Sequence, residues 1–423
     1  MLAAMAARQP GSDLAVLRQP EAAGRAARRG AAALLAEMAP EDSALPACLV
    51  PDVREAHGRL CQALAGNPAR QLKLIGIAGS NHKTTTAILT AAVLASAGYA
   101  TGVCGTLGYG DGAGWTPLAG GEPTAAELAG WLARCRQNRC SHAVVELPAA
   151  ALRKRTIAGL EFDALAVTGL RRGKRGGETV QRLFDCLRPE GFSVINADGA
   201  GYEPNCPSCG PELTVGIDAA AEVTGTILEE SRSEQTFLLS LGCETAAVRT
   251  TLVGRDAVRS CLLAASLGFV YGIDLATIVE GLQSVPRIPG RLDRLECGQP
   301  YGVYVDSASS PAALEIALAT LRGLTDGRIM CVAPADSQVA VGQNRKTKAY
   351  GDTDFIDCLP GQRQSAIRWA LDRARPGDCV LIAGAREAEF PFRSERGPRF
   401  DDREFARQYL YRSPRRELFR IGA

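Results

Sequence analysis

At 423 residues, with 46% hydrophobic and 22% charged side chains, the chain exceeds one ordinary core, and two or three globular domains are expected. The formal net charge of +2 leaves no footprint for nucleic acid or an acidic membrane surface, and no apolar run reaches the length needed for membrane insertion. The start MLAAMAARQPGSDLAVLRQP has scattered charges where a signal peptide has an apolar core, so a cytoplasmic location is expected.

In chain order, the first 70 residues are rich in Ala and Arg, with a helical pattern in AAGRAARRGAAALLAEM and a Pro-bounded LPACLVPD, and read as a short domain or cap. Between residues 72 and 218 the apolar runs LKLIGIAG, ATGVCGTL, HAVVEL, ALAVTGL and FSVINA alternate with segments such as TAAELAGWLARCRQ. That alternation predicts an α/β fold, a mostly parallel sheet covered on both faces. Residues 223–253 change to a period of two in TGTILEE, TFLLSL and AAVRTTLV, which predicts an antiparallel patch. The helices RDAVRSCLLAASLGFVYG and DLATIVEGLQSV and the hinge VPRIPGR follow. A second, smaller α/β pattern then runs through YGVYVDSA, SPAALEIALATLRGLT, RIMCVAP, RQSAIRWALDRA, DCVLIAGA and DDREFARQYL. Within it, DSQVAVGQNRKTKAYGDTDFIDCLPG reads as a long irregular loop. The expected divisions are 1–70, 71–285 and 286–423.

The 14 cysteines are scattered singly and read mostly as small buried hydrophobes. Cys206 and Cys209 in YEPNCPSCGPEL supply half a tetrahedral zinc site with no second pair, which favours a reduced loop pair over zinc.

The most informative stretch is LKLIGIAGSNHKTTTAILTAAVLASAG: a strand, a turn at Gly79, then Lys83, Thr84 and Thr85 opening a helix, which is how a phosphate-cradling loop is built. His82 stands where such a loop wants glycine.

With these segments placed, the chain resembles the Mur ligase family, in particular the MurE branch that adds the third amino acid to UDP-MurNAc-dipeptide. The resemblance runs from about residue 20 onward, through LVPDVREAHGRL, VVELPAAALRKRTIAGLEFDALAVTGL, VINAD, PGRLDRL, VDSASSPAALEIALATLR, RPGDCVLIAGAREAE and FDDREFAR. It implies three domains: a truncated N-terminal UDP-binding-like domain, a central P-loop ATPase-like domain, and a Rossmann-like C-terminal ligase domain. It also implies ATP and Mg as cofactors and UDP-MurNAc-peptide or other cell-wall proteins as partners. Members phosphorylate a carboxylate with ATP, and an amine then displaces the phosphate.

Carried over by position, Ser80, Asn81, Lys83 and Thr84 match the family's GTNGKT, and His82 replaces its last glycine. The resemblance makes Lys83 and Glu146 catalytic and gives Glu146 and Thr84 to magnesium; Arg291 of PGR and Asp306 of VDSASS match residues that touch ATP phosphate and ribose. Other positions depart from the pattern. Pro148, Ala149 and Ala150 replace serines and a histidine, and Thr156 stands at a muramyl-binding arginine. Lys174 occupies a metal-binding histidine position and Val180 the position of a carbamylated lysine, although Lys174 or Arg175 could hold a phosphate directly. The family's GxFNxxN reads GRDAVRS here, with Ala257 and Ser260 at its asparagines. The stretches DSRxVxxG, GGDRDxxKR and DNPR have no counterpart. Since the departures fall on catalytic positions, the sequence predicts a scaffold with impaired catalysis. An active ligase with altered substrates and a nucleotide or UDP-sugar sensor are the alternatives.

Overall fold

The computed structural model describes residues 13–17, 19, 22–40, 44–118, 122–169, 181–199, 211–334, 353–358, 362–384 and 401–412. Three sheets follow one another. The first is a parallel three-stranded sheet, β1 (Asp13–Val16), β2 (Ala31–Ala36) and β3 (Ala47–Leu49), with the short helix α1 (Ala23–Arg28) between its first two strands. Here the structure corrects the sequence reading. The helical pattern ends at Arg28; Gly30 turns with φ 84°, and AAALLA becomes the central strand β2. Pairing with strands on both sides and burial of Leu34, Leu35 and Ala36 override the helix propensity of Ala and Leu.

Helix α2 (Val53–Leu64), capped by the Asp52 carboxylate, leads through a 3-10 turn at Pro68–Gln71 into the central sheet. In chain order the central elements are β4 (Lys73–Ala78), α3 (Lys83–Ser96), β5 (Thr101–Gly105), β6 (Gly108–Gly110), β7 (Trp115–Thr116), α4 (Ala125–Gln137), β8 (His142–Leu147) and α5 (Ala149–Lys154). They continue with β9 (Phe162–Val167), β10 (Leu187–Asn196), β11 (Glu212–Gly216), β12 (Val223–Glu230), β13 (Gln235–Leu241), β14 (Glu244–Thr250), α6 (Arg255–Val270) and α7 (Leu275–Gln283). Eleven strands run β14-β13-β12-β11-β10-β9-β4-β8-β5-β6-β7. The span from β5 to β12 is parallel, and both edges are antiparallel, which matches the period-two patterning at β12–β14.

α4 begins with a complete capping box, Thr124 and Glu127 bonding reciprocally. One face of the sheet is covered by α3, α6 and α7, whose apolar sides bury Leu89, Val93, Leu262 and Ile278; the other packs on α4 around Trp131. α7 approaches α3 so closely that a Cβ at Gly281 would meet the Val93 Cα at 2.5 Å.

The third sheet, of β15 (Asp293–Arg294), β16 (Gly302–Val305), β17 (Ile329–Pro334), β18 (Thr353–Cys358) and β19 (Cys379–Ile382), has the order β15-β16-β19-β17-β18 and is parallel except at β15. Helices α8 (Pro311–Leu324), α9 (Arg363–Arg373) and α10 (Asp402–Arg412) pack on it. Strand β18 lies inside the stretch expected to be one irregular loop; parallel pairing with β17 is what orders it. Among the described residues no helix is long and apolar enough to cross a membrane.

Candidate functional site at the phosphate loop

β4 buries Leu74, Ile75 and Ile77 completely, and the chain must turn sharply at its end. Gly79 makes that turn at φ 133°, where a Cβ would run into Thr168 Oγ1 and the Gly169 backbone. The Ser80 N–H donates to the Gly169 carbonyl at 3.3 Å and Thr168 Oγ1 donates to the Asn81 carbonyl at 2.5 Å, which pins the loop to the end of β9. His82 is the N-cap of α3 in the left-handed region, φ 61° and ψ 9°, and its side chain makes no cap bond. Backbone geometry here is thus the glycine geometry, carried by an imidazole.

Lys83 curls its Nζ back onto the carbonyls of Gly79, at 2.9 Å, and Ser80, at 3.3 Å. Burial pushes its ammonium below the ordinary lysine value, against the pull of Glu146. Thr84 and Thr85 are buried at the helix start. Glu146, 7% exposed, projects from β8 over Gly105, whose missing side chain makes room for the carboxylate. Its oxygens accept the Thr106 N–H and the Thr84 hydroxyl, each at 3.2 Å. Burial pushes this carboxyl above its usual range, opposed by Arg291 and Lys83.

From the third sheet Arg291 reaches back 207 positions to Thr84 Oγ1 at 3.0 Å and to Thr106 Oγ1 at 3.1 Å, while its other nitrogen bonds Gly290 O and Ser307 Oγ. Asp306 accepts the N–H groups of Leu292 and Ala308 at 2.8 Å each, so it fastens the turn that carries Arg291; burial raises its carboxyl despite those bonds. Between these groups lies a cleft of about 240 Å³, walled on its apolar side by Leu252, Ala257, Ile288 and Ile316.

At that apolar end, Ala257 ends at its Cβ, and the hydroxyl of the buried Ser260 is committed to the Asp256 carbonyl at 2.9 Å. Ala257 offers a base no hydrogen bond, and Ser260 is not among the residues lining the cleft. Asp256 itself, standing at the aromatic position of GxFNxxN, faces His82 with Nε2 to Oδ2 at 3.1 Å. Two departures from the family pattern, 174 positions apart, therefore meet across the mouth of the loop. Arg259 secures Asp256 at 2.9 Å, and also Asp198 at 2.8 Å and Asp218 at 3.3 Å. Burial works against ionisation of Asp256, but His82 and Arg259 outweigh it and hold the carboxyl well below the ordinary range.

All of Gly79, Ser80, Asn81, His82, Lys83, Thr84, Thr85, Glu146, Arg291 and Asp306 thus gather at one cleft or its hinge turn, with Ala257 on its wall and Ser260 one helical turn behind. Thr156 does not join them. It lines a separate gap of about 410 Å³ between β1, α2 and α5. Lys174, Arg175, Val180, Cys206 and Cys209 lie outside the described residues. Sequence reasoning missed Thr106, Asp198, Asp256 and Arg259; the only local signal was an Asp at a motif's aromatic position.

For magnesium the donors are the Thr84 hydroxyl and Glu146, suitable in type, but the Arg291 guanidinium sits on that hydroxyl. Among the described residues no group of three His, Cys, Asp or Glu side chains is placed to hold a metal. For a nucleotide, the Gly79 turn, Lys83 and the uncapped start of α3 suit phosphate, whereas His82 narrows the entrance.

The family described as Mur ligase middle domain matches residues 77–268. A UDP-N-acetylmuramyl-tripeptide synthetase of Roseiflexus sp. (strain RS-1) is 29% identical over 425 residues, covering 85% of this chain and 83% of the relative. A UDP-N-acetylmuramoyl-L-alanyl-D-glutamate--2,6-diaminopimelate ligase of Syntrophomonas wolfei is 27% identical over 434 residues, covering 92% and 88%. Among solved structures, a ligase of the same description superposes with a TM-score of 0.67 at 22% identity over 94% of this chain and 91% of that one. The MurF ligase of Thermotoga maritima in complex with ADP superposes at 0.62, with 14% identity over 97% and 95%. The middle-domain match, with relatives aligned along most of their length, supports a Mur ligase, MurE-like protein.

Proposed function

We propose that this protein keeps the nucleotide cleft of an ATP-dependent peptidoglycan-precursor ligase but is strongly impaired in ligation, and acts as a scaffold or regulator beside that synthesis in the cytoplasm. The names of its relatives support the ligase ancestry. The observation that carries the impairment is the contact of His82 with Asp256 across the loop mouth, which puts an imidazole where phosphate must approach closely. At the base end of the cleft Ala257 removes a polar contact as well. Its partner on this reading is UDP-MurNAc-peptide or a cell-wall enzyme. The N-terminal sheet, the central unit and the C-terminal unit are proposed to divide the work as in the family, with Lys83 and Glu146 the surviving catalytic positions.

The test pairs two measurements. Release of ADP from ATP with UDP-MurNAc-dipeptide and a panel of amino acids should stay at background. ATP should raise the thermal midpoint of the wild type and not of Lys83→Ala. Turnover above background with any amino acid refutes the impairment, and an ATP response that survives Lys83→Ala refutes the assignment of the loop.

A further inference from the structure

The place a divalent cation would use in this cleft is taken by a cation of the chain itself. A threonine hydroxyl has one proton and two lone pairs. At Thr84 the proton goes to Glu146 Oε2 at 3.2 Å, one lone pair receives Arg291 Nη2 at 3.0 Å, and the other the Thr106 hydroxyl at 3.0 Å. No lone pair is left to ligate a metal. Thr106 completes the ring: its hydroxyl accepts Arg291 at 3.1 Å and its N–H donates to Glu146 Oε1 at 3.2 Å. The guanidinium is gripped at its other end by Gly290 O and Ser307 Oγ, both from the C-terminal unit, so it is positioned from two sides.

Charge points the same way. Of the carboxylates lining the cleft, Asp256 is paired with Arg259 and Asp306 with backbone N–H groups, which leaves Glu146 facing the Arg291 and Lys83 cations before any metal arrives. Among the described residues Lys83 bonds only carbonyls of its own loop, which it can exchange for phosphate oxygens. Magnesium demands near-octahedral oxygen ligands and gives up its water reluctantly, and here it would have to displace Arg291 or sit beside it against like charge. A guanidinium, by contrast, is a fixed fork of donors suited to phosphate oxygens.

We infer that the cleft binds the oligophosphate of a nucleotide without a divalent metal, the Arg291 guanidinium standing in the metal's place among Thr84, Thr106 and Glu146. The inference rests on the reading that the cleft retains a nucleotide, and the experiment separates the two.

Calorimetric titration of the full chain with ATP is run in EDTA and again in excess magnesium chloride. The wild-type Kd should agree between the two buffers within about threefold. In Arg291→Ala, which frees the Thr84 lone pair, magnesium should tighten ATP by about tenfold or more. Arg291→Gln, which retains a polar side chain for Ser307, repeats this test on a second background. Magnesium tightening of the wild type by more than threefold overturns the inference and leaves the nucleotide reading standing. Magnesium-indifferent binding by both variants overturns the role given to Arg291. Absence of ATP binding to the wild type in both buffers overturns the inference together with the nucleotide reading.

Discussion

Replacing His82 by glycine separates the local cost of this residue from its functional effect. In the folded chain His82 sits at φ 61°, a left-handed conformation that costs an L-residue about 1 kcal/mol and glycine almost nothing. Against that relief stand two losses. The pair with Asp256 at 3.1 Å, its side chains 30% and 29% exposed, contributes about 0.5–1 kcal/mol. Glycine also enlarges the unfolded ensemble, which costs about 0.4–1 kcal/mol. Asp256 keeps Arg259 at 2.9 Å, so no carboxylate is stranded. The sum leaves His82→Gly within about 1 kcal/mol of the wild type in urea denaturation. Opening the loop mouth should tighten ATP about tenfold, or about 1.4 kcal/mol, by calorimetry. Ligation should still be absent, because Lys174, Val180 and Ala257 are unchanged. Recovery of ADP release with UDP-MurNAc-dipeptide would refute the reasoning, and unchanged ATP affinity would show that the imidazole does not obstruct the cleft.

Other perturbations test the framework around the cleft. Asp198, whose side chain is 3% exposed, accepts Arg259 and the N–H groups of Ile217, Asp218 and Ala219, so Asp198→Ala should cost about 1–3 kcal/mol near neutral pH by leaving part-buried donors unpaired. Burial opposes ionisation of Asp198, but those donors prevail and hold its carboxyl below the ordinary range. A lowered folded value contributes stability above the unfolded value of about 3.9 and loses it as pH falls through the folded value. The wild type should therefore lose stability more steeply than Asp198→Ala below about pH 4, and equal slopes in pH-resolved denaturation would count against the network. Gly281→Ala, whose Cβ meets the Val93 backbone, should cost about 1–3 kcal/mol and weaken ATP by shifting α3; an unchanged thermal midpoint contradicts the close α3–α7 crossing. Gly105→Ala, whose Cβ would overlap the Glu146 carboxylate, should displace it and lower the thermal midpoint, and an unchanged midpoint would place Glu146 elsewhere.

Much of the framework was legible from sequence, because it is written in local terms. An apolar run, a glycine turn and Lys-Thr-Thr dictate strand, loop and helix at β4–α3 whatever surrounds them, and period-two patterning announced the β12–β14 edge. Family motifs then located Lys83, Glu146, Arg291 and Asp306, which the fold brings to one cleft and its hinge turn. Where pairing partners are distant, local pattern failed. AAALLA prefers helix and TDFIDC has weak strand signals, yet ladders to β1 and β3, and to β17, make both strands.

Tertiary structure alone decided the meaning of the two oddest positions. Read singly, His82 is a spoiled glycine and Asp256 a spoiled aromatic; folded, they face each other as one pair at 3.1 Å. Arg291 likewise reads as a phosphate contact until the chain brings it onto the Thr84 hydroxyl and completes that group's hydrogen bonding. Local propensity and turn chemistry act over a few residues and can be read along the chain. The saturation of a hydroxyl and the pairing of charges depend on which distant groups share a few ångströms, and packing of the units settles that.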